Sequence, residues 1–316
     1  MKRLSWLGLV FLFLACSEPS PEKKEMSAKP EKESSPLPKM ISTQDSALKT
    51  FSMNGFDFQV FQDSPGHVNL DIYKGLLTPE ERLAAVAGDS LLQSLNVLLV
   101  RGQGKLLLID AGWGTGTAVK GNTPALLRAQ GILPEAIDEV LLTHMHGDHV
   151  TGLLDSAGKA AYPKAVLRVA KPELDFWLSE AAAKRALSNK ELAERVAKAY
   201  EGRIQTFAFG DTLLPGLVVT DAVGHTPGHT AFFFPGSPRA LLVAGDFLHA
   251  AALQFAYPDE YPSYDMDPVQ AVITRKFILN RAVNDSLLVM GAHIPFPGVG
   301  TVERVNANSY RFNPLP

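Results

Sequence analysis

Four side chains able to hold a metal ion fall within one short run, Thr143-His144-Met145-His146-Gly147-Asp148-His149. His144 and His146 are two residues apart, so on a strand leaving a sheet both imidazoles point the same way. Gly147 permits a tight turn, after which Asp148 and His149 come back towards them. A lone histidine is ordinarily a packed or solvated side chain, but this density is hard to explain as packing. More metal-competent groups follow. His225 and His229 lie in Gly224-His225-Thr226-Pro227-Gly228-His229-Thr230, Asp246 follows Gly245, and His293 follows Ala292. The donors are nitrogen and oxygen only. The single cysteine, Cys16, lies near the N-terminus, so the body of the chain has no disulfide, no cysteine zinc site and no thiol nucleophile. Imidazole and carboxylate suit zinc, and the same ligands accept manganese, cobalt or iron.

These residues need elements to deliver them. Phe56 to Phe61 alternates apolar and polar residues, as a half-buried strand does. Leu95 to Val100 and Lys105 to Ile109 read as two strands joined at Gly102-Gln103-Gly104. Thr123-Pro124 opens a short helix that Gly131 closes, and Glu139 to Leu142 is a short strand. A helical stretch runs from Pro172 to about Tyr200, with a break expected near Ser188-Asn189. Val218 to Val223, Ala240 to Ala244 and Leu287 to Met290 are buried strands, and Asp267-Pro268 caps a helix reaching Asn280. On this map the metal-competent residues follow the ends of four strands, at Leu142, Val223, Ala244 and Met290. In layered α/β folds the carboxyl edge of the strands is where sites form.

The set His-x-His-x-Asp-His, Gly224 to Thr230, Gly245-Asp246 and Ala292-His293 resembles the metallo-β-lactamase superfamily. Within it, several stretches are similar to the methyl parathion hydrolase and lactonase-like members. They are Leu142 to Leu153, Tyr162 to Ser179, Gly245 to Phe255, and His293 to Gly300 with Tyr310-Arg311-Phe312. The resemblance implies an α/β fold of the αββα sandwich type, in a single domain. It implies two metal ions, one held by His144, His146 and His225, the other by Asp148, His149 and His293, with Asp246 bridging. His229 matches a supporting histidine and Asp110 a carboxylate behind the ligands. It implies a binuclear hydrolase in which a metal-bridging hydroxide, oriented by Asp148, attacks lactone or ester bonds, with organophosphate triesters as further substrates. Alternative members are thioester hydrolases of the glyoxalase II type and mono-iron sulfur dioxygenases.

Departures from the pattern concern the substrate pocket. Trp177 matches an aromatic wall residue and reads equally well as core packing, and Trp113 offers a second aromatic nearby. Lactonases often place a tyrosine shortly after the bridging aspartate, where this chain has Phe247, Leu248 and His249. His249 either donates a proton to a leaving group or caps a loop, the second being the plainer reading.

The remaining features bound location and partners. Lys2 and Arg3, the apolar run Leu4 to Leu14, and Ala15-Cys16 read as an export signal over residues 1–16, too short to span a membrane. Its end resembles a lipoprotein processing site, which predicts a periplasmic or outer-membrane protein anchored through Cys16. Residues 17–50 begin with a Pro-, Lys- and Glu-rich stretch that cannot bury enough surface to fold, so they are expected to form a tether. Residues 51–316 are expected to form the hydrolase domain. A net charge of −3 gives no basis for nucleic-acid binding. A small-molecule substrate is expected, and relatives that dimerise imply a homodimer.

Overall fold

Two aliphatic and aromatic strand sets, each with an inward and an outward apolar face, build the molecule. The computed structural model describes residue 37 and residues 41–42, 46–86, 90–115 and 119–316. The expected signal segment with Cys16, and residues 17–36 of the expected tether, lie outside the described residues.

The first sheet has eight strands. In spatial order they are Ile41–Ser42, Leu48–Met53, Phe56–Asn69, Ser90–Gly102, Lys105–Ile109, Glu139–Leu141, Val166–Ala170 and Ile204–Phe207. The first five pair antiparallel, and the last three are added in parallel. The expected hairpin at Gly102 is present. Its two turn residues, Gln103 and Gly104, have φ of 53° and 74°, the left-handed pair that matches the twist of the flanking strands. The folded unit starts earlier than expected, because Leu48–Met53 already pairs with Phe56–Asn69 and buries Leu48 and Phe51.

The second sheet has seven strands, in the order Thr212–Leu214, Leu217–Asp221, Thr230–Phe234, Leu241–Val243, Leu288–Met290, Val299–Asn306 and Ser309–Pro314. Phe58, Val60, Leu98 and Ile109 of the first sheet share one buried cluster with Val219, Phe232, Leu241 and Met290 of the second. That cluster is the layer between the sheets, where each fully buried large apolar side chain contributes about 1.5–3 kcal/mol. The outer face of the first sheet packs Leu108, Val140 and Leu167 against Leu126, Ala193 and Val196 of helices Thr123–Ala129 and Glu180–Ala199. The outer face of the second packs Leu242 and Val289 against Ile278 and Leu279 of helix Pro268–Asn284. The αββα sandwich expected from the sequence is the observed architecture.

Helix Pro268–Asn284 begins as expected, with the Asp267 side chain accepting from Gln270 N. The long helical stretch differs. Helix Lys171–Trp177 stops, and Ser179 caps a new helix, Glu180–Ala199, by accepting from Ala182 N. The break inside that helix falls at Ala186 (φ −157°, ψ 81°), not at Ser188-Asn189. Alanine is the best intrinsic helix former, so tertiary packing rather than propensity sets this kink.

Candidate metal centre

Strand Glu139–Leu141 delivers the first group of residues. After Leu142 the chain passes Thr143, His144 and His146 and turns into the one-turn helix Gly147–Val150, which carries Asp148 and His149. The second sheet delivers the rest from the loops after Leu217–Asp221, Leu241–Val243 and Leu288–Met290. All seven expected ligands converge. His144, His146 and His225 form one group whose ligand atoms lie within 4.8 Å of one another, and Asp148, His149 and His293 form another. Asp246 stands between them, with Oδ2 3.3 Å from His225 Nε2 and 3.1 Å from His293 Nε2, and Oδ1 3.2 Å from His149 Nε2.

Three of the rings are aimed by a bond on the far side. His149 Nδ1 lies 2.8 Å from Asp110 Oδ2, His225 Nδ1 2.8 Å from Asp265 Oδ1, and His293 Nδ1 3.1 Å from the Ser94 carbonyl. These partners fix the ring so that Nε2 faces the cluster, the arrangement metal-binding histidines use. Asp110 also accepts from Thr143 N and Oγ1, and does so from a left-handed backbone (φ 59°). His229 turns the other way. Its Nδ1 donates to the Ala222 carbonyl and its Nε2 accepts from Asp246 N at 2.9 Å. It therefore holds Asp246 by its backbone and has both ring nitrogens engaged.

The donor set fits two ions. His149 Nε2 and Asp246 Oδ1 are buried without a hydrogen-bond partner, although both are strong polar groups whose desolvation is costly unless something binds them. The electrostatics agree. Burial pushes His225 and His293 down, but Asp246 with Asp265, and Asp246 with Asp148, outweigh it and raise them to about 9 and about 10. Burial pushes Asp246 up, yet the charges of His149, His293 and His144 bring it well below the usual carboxylate range. His144 and His146 are lowered by burial and by neighbouring imidazoles. A compact cluster of imidazoles around carboxylates is a cation site in charge and in geometry.

Above the cluster opens a pocket of about 540 Å³. Trp113, Val68 and Leu192 supply its apolar wall, and Gln93, Ser188, Asn189 and Tyr264 its polar groups. The kink at Ala186 precedes the three helix residues in this wall. Trp113 lines this pocket, whereas Trp177 takes the core-packing reading. It is fully buried, its indole packed edge-on against His146 at 5.5 Å, and it lines no part of this pocket. His249 is no mere loop cap. Its Nε2 lies 3.0 Å from Asp246 Oδ2, its ring stacks on His293 at 4.8 Å, and it lines the pocket. Burial lowers its pKa to about 4, so it enters the site as a neutral imidazole.

Four contributors were not singled out in the sequence. Asp63 sits at a β-bulge between Gln62 and Ser64 and accepts from Trp113 N and Thr123 N, which pins the loop bearing Trp113. Glu173 is buried behind His146 and His225. Asp265 orients His225, and its neighbour Tyr264 stands 4.8 Å from the His249 ring. Nothing local distinguishes Asp63, Glu173 or Asp265 from solvated acids. The aspartate-tyrosine pair gains meaning only when the loop before Asp267 is folded over His225.

Comparison with known proteins identifies the family and the fold. The sequence profile of the metallo-β-lactamase superfamily matches residues 92–293, from the strand leading into the site to the last metal-competent histidine. The chain belongs to the metallo-β-lactamase superfamily. Among solved structures it is similar to the hydrolase AbOPH of the β-lactamase superfamily, with a TM-score of 0.79 and 28% identity over 87% of this chain and 99% of that one. It shares its fold with AidC, a dizinc quorum-quenching lactonase, at a TM-score of 0.78 and 24% identity over 85% of this chain and 97% of that one. Among curated proteins it is 31% identical over 164 residues to a hydroxyacylglutathione hydrolase of Fuscovulum blasticum, covering 51% of this chain and 53% of that one. It is 25% identical over 152 residues to protein YobT of Bacillus subtilis (strain 168), covering 48% of this chain and 61% of that one. The chain thus spans less than two thirds of the length of these curated relatives.

Proposed function

We propose that this protein is a binuclear, zinc-preferring hydrolase of neutral esters and lactones, with organophosphate triesters as further substrates. The observation that carries this reading is the pocket itself. It opens onto both ligand groups, mixes apolar walls with uncharged polar groups, and among the described residues is lined by no lysine or arginine. Such a pocket suits a substrate without net charge, and its wall away from the metal-competent residues offers no charged partner to an anionic one. The fold it shares with AidC supports the lactone arm of the proposal.

When bound, a divalent pair supplies a hydroxide nucleophile near neutral pH and polarises the substrate's reacting oxygen. The protein's own groups do the rest. Asp148 lines the pocket beside His293 and His149, at 3.4 and 3.6 Å. Burial pushes it up, but those two charges hold it well below the usual carboxylate range, so it is ionised and able to orient or receive a proton. Trp113 and Leu192 exclude water along one wall, and Gln93, Asn189 and Tyr264 offer hydrogen bonds to the substrate's polar atoms.

The match to a hydroxyacylglutathione hydrolase favours a second reading, thioester hydrolysis. A glutathione thioester carries two carboxylates, and the pocket wall gives them no cation. The test is turnover of dihydrocoumarin, methyl parathion and a hydroxyacylglutathione thioester by zinc-loaded protein. Lactone hydrolysis that a chelator removes is expected, together with loss of at least a hundredfold in kcat for H146A and D246N. Preferential thioester turnover would establish the second reading, and wild-type activity in either variant would overturn the site.

A further inference from the structure

Glu173 is a fully buried carboxylate that the proposed chemistry does not use. Its two oxygens are saturated by donors from three segments. Oε1 accepts from Met145 N and Trp177 Nε1, both at 2.8 Å. Oε2 accepts from Thr226 Oγ1 at 2.7 Å and Gly228 N at 2.8 Å. Met145 lies between His144 and His146, and Thr226 directly follows His225. The same side chain therefore grips the backbone beside three of the seven ligands.

Two further observations show how closely the parts are fitted. A Cβ at Gly228 would lie 2.3 Å from Glu173 N and 2.6 Å from its Cα, so the loop after His225 can press on this helix only because residue 228 has no side chain. Trp177, held by Glu173, sets its indole against the His146 ring. Glu173 accepts no hydrogen bond from the second ligand group, Asp148, His149 and His293. Burial raises the Glu173 pKa against the pull of the four donors, so an ionised carboxylate here is a cost that only its bonding offsets.

We infer that Glu173 is a positioning residue for one metal ion of the pair. It sets the spacing between the His144-Met145-His146 loop and the His225 loop, and thereby the affinity of the three-histidine site alone. This rests on the assignment of those histidines to one ion. Glutamine at 173 keeps the shape but puts an amide NH2 where two donors point, so one loop loses its anchor.

The test uses the full chain, stripped of metal and titrated with Co²⁺ under visible absorbance, with bound metal counted by equilibrium dialysis. Wild type is expected to hold two ions. E173Q is expected to hold one at wild-type affinity and the other about tenfold to a hundredfold more weakly. On an H293A background E173Q should weaken the one remaining ion, and on an H146A background it should leave the remaining ion unchanged. Equal weakening of both ions, or two ions of wild-type affinity in E173Q, overturns the inference. Fewer than two ions in the wild type overturns the ligand assignment and the inference with it. E260Q removes another buried carboxylate, one that holds Arg82, and should lower Tm without moving either affinity. Should E173Q fail to fold, T226V leaves Glu173 in place and removes one donor from Oε2. A smaller weakening of the same ion is then expected, and unchanged affinity would sink the idea.

Discussion

His229 and His225 share one loop and face one cluster, yet the bonds around each ring give them opposite tasks. His225 is pinned at Nδ1 and presents Nε2 to the site, whereas His229 spends both nitrogens on backbone groups. Replacing His229 with leucine strands the buried N–H of Asp246, at a cost of about 1–3 kcal/mol. Because Asp246 stands between both ligand groups, H229L should weaken both ions together and lower Tm, as metal titration and calorimetry would record. A pH prediction follows from His225 and His293, raised to about 9 and about 10 in the metal-free protein. At pH 7 both carry protons that a metal must displace, so binding releases protons and apparent affinity rises with pH until those values are passed. Calorimetry in buffers of different ionisation heat at pH 6 and 8 measures that release; its absence would contradict the assignment. In the metal-free fold the same two groups stabilise fully below ~6.5 and lose that contribution as pH rises through about 9 and 10.

Among the elements, a bulge and a kink shape the pocket more than any regular strand does. The bulge at Asp63 turns a carboxylate out of the ladder to hold Trp113 N and Thr123 N. D63A leaves both donors without that partner and frees the Trp113 loop while touching no metal-competent residue. Expected are two retained ions, a several-fold higher KM for the lactone and a loss of about 2 kcal/mol in stability. Unchanged KM would show that Trp113 needs no such anchor. What the sequence disclosed at this scale follows from range. Periodic apolar runs exposed the hairpin at Gln103-Gly104 and the strands that deliver the ligands, because their signal is local. The break in the long helix was legible to within two residues of Ala186, but the bulge at Asp63 and the buried Glu173 were illegible, since each is decided by partners tens of residues away. Trp177 left two readings open, pocket wall and core packing, and the core is where it lies. A motif fixed its neighbourhood, but its hydrogen bond to Glu173 turned the ring into the core.

For the molecule as a whole, the second strand of the first sheet straddles the boundary that the sequence placed between tether and domain, at residues 50 and 51. Leu48–Met53 buries Leu48 and Phe51 and pairs along its length with Phe56–Asn69. Removal of residues 1–40 should leave stability and turnover intact. Removal of residues 1–53 should lower Tm by ten degrees or more, or prevent soluble expression. Equal Tm for the two truncations would mean that this strand adds nothing to the sheet.

The site also lies where loops from both sheets meet, in a chain whose only cysteine stands at position 16. An ion shared by His146 and His225 ties together residues 79 positions apart. Treated as a covalent cross-link, closing such a loop would restrict the unfolded chain by about 4.5 kcal/mol. Metal ions held there would double as the rivets that a disulfide-free sandwich lacks, with a strength that depends on the free metal around them. A cell or compartment that withholds the ion would take away the reaction and the resilience of the fold in one act, leaving the idle enzyme the more easily degraded.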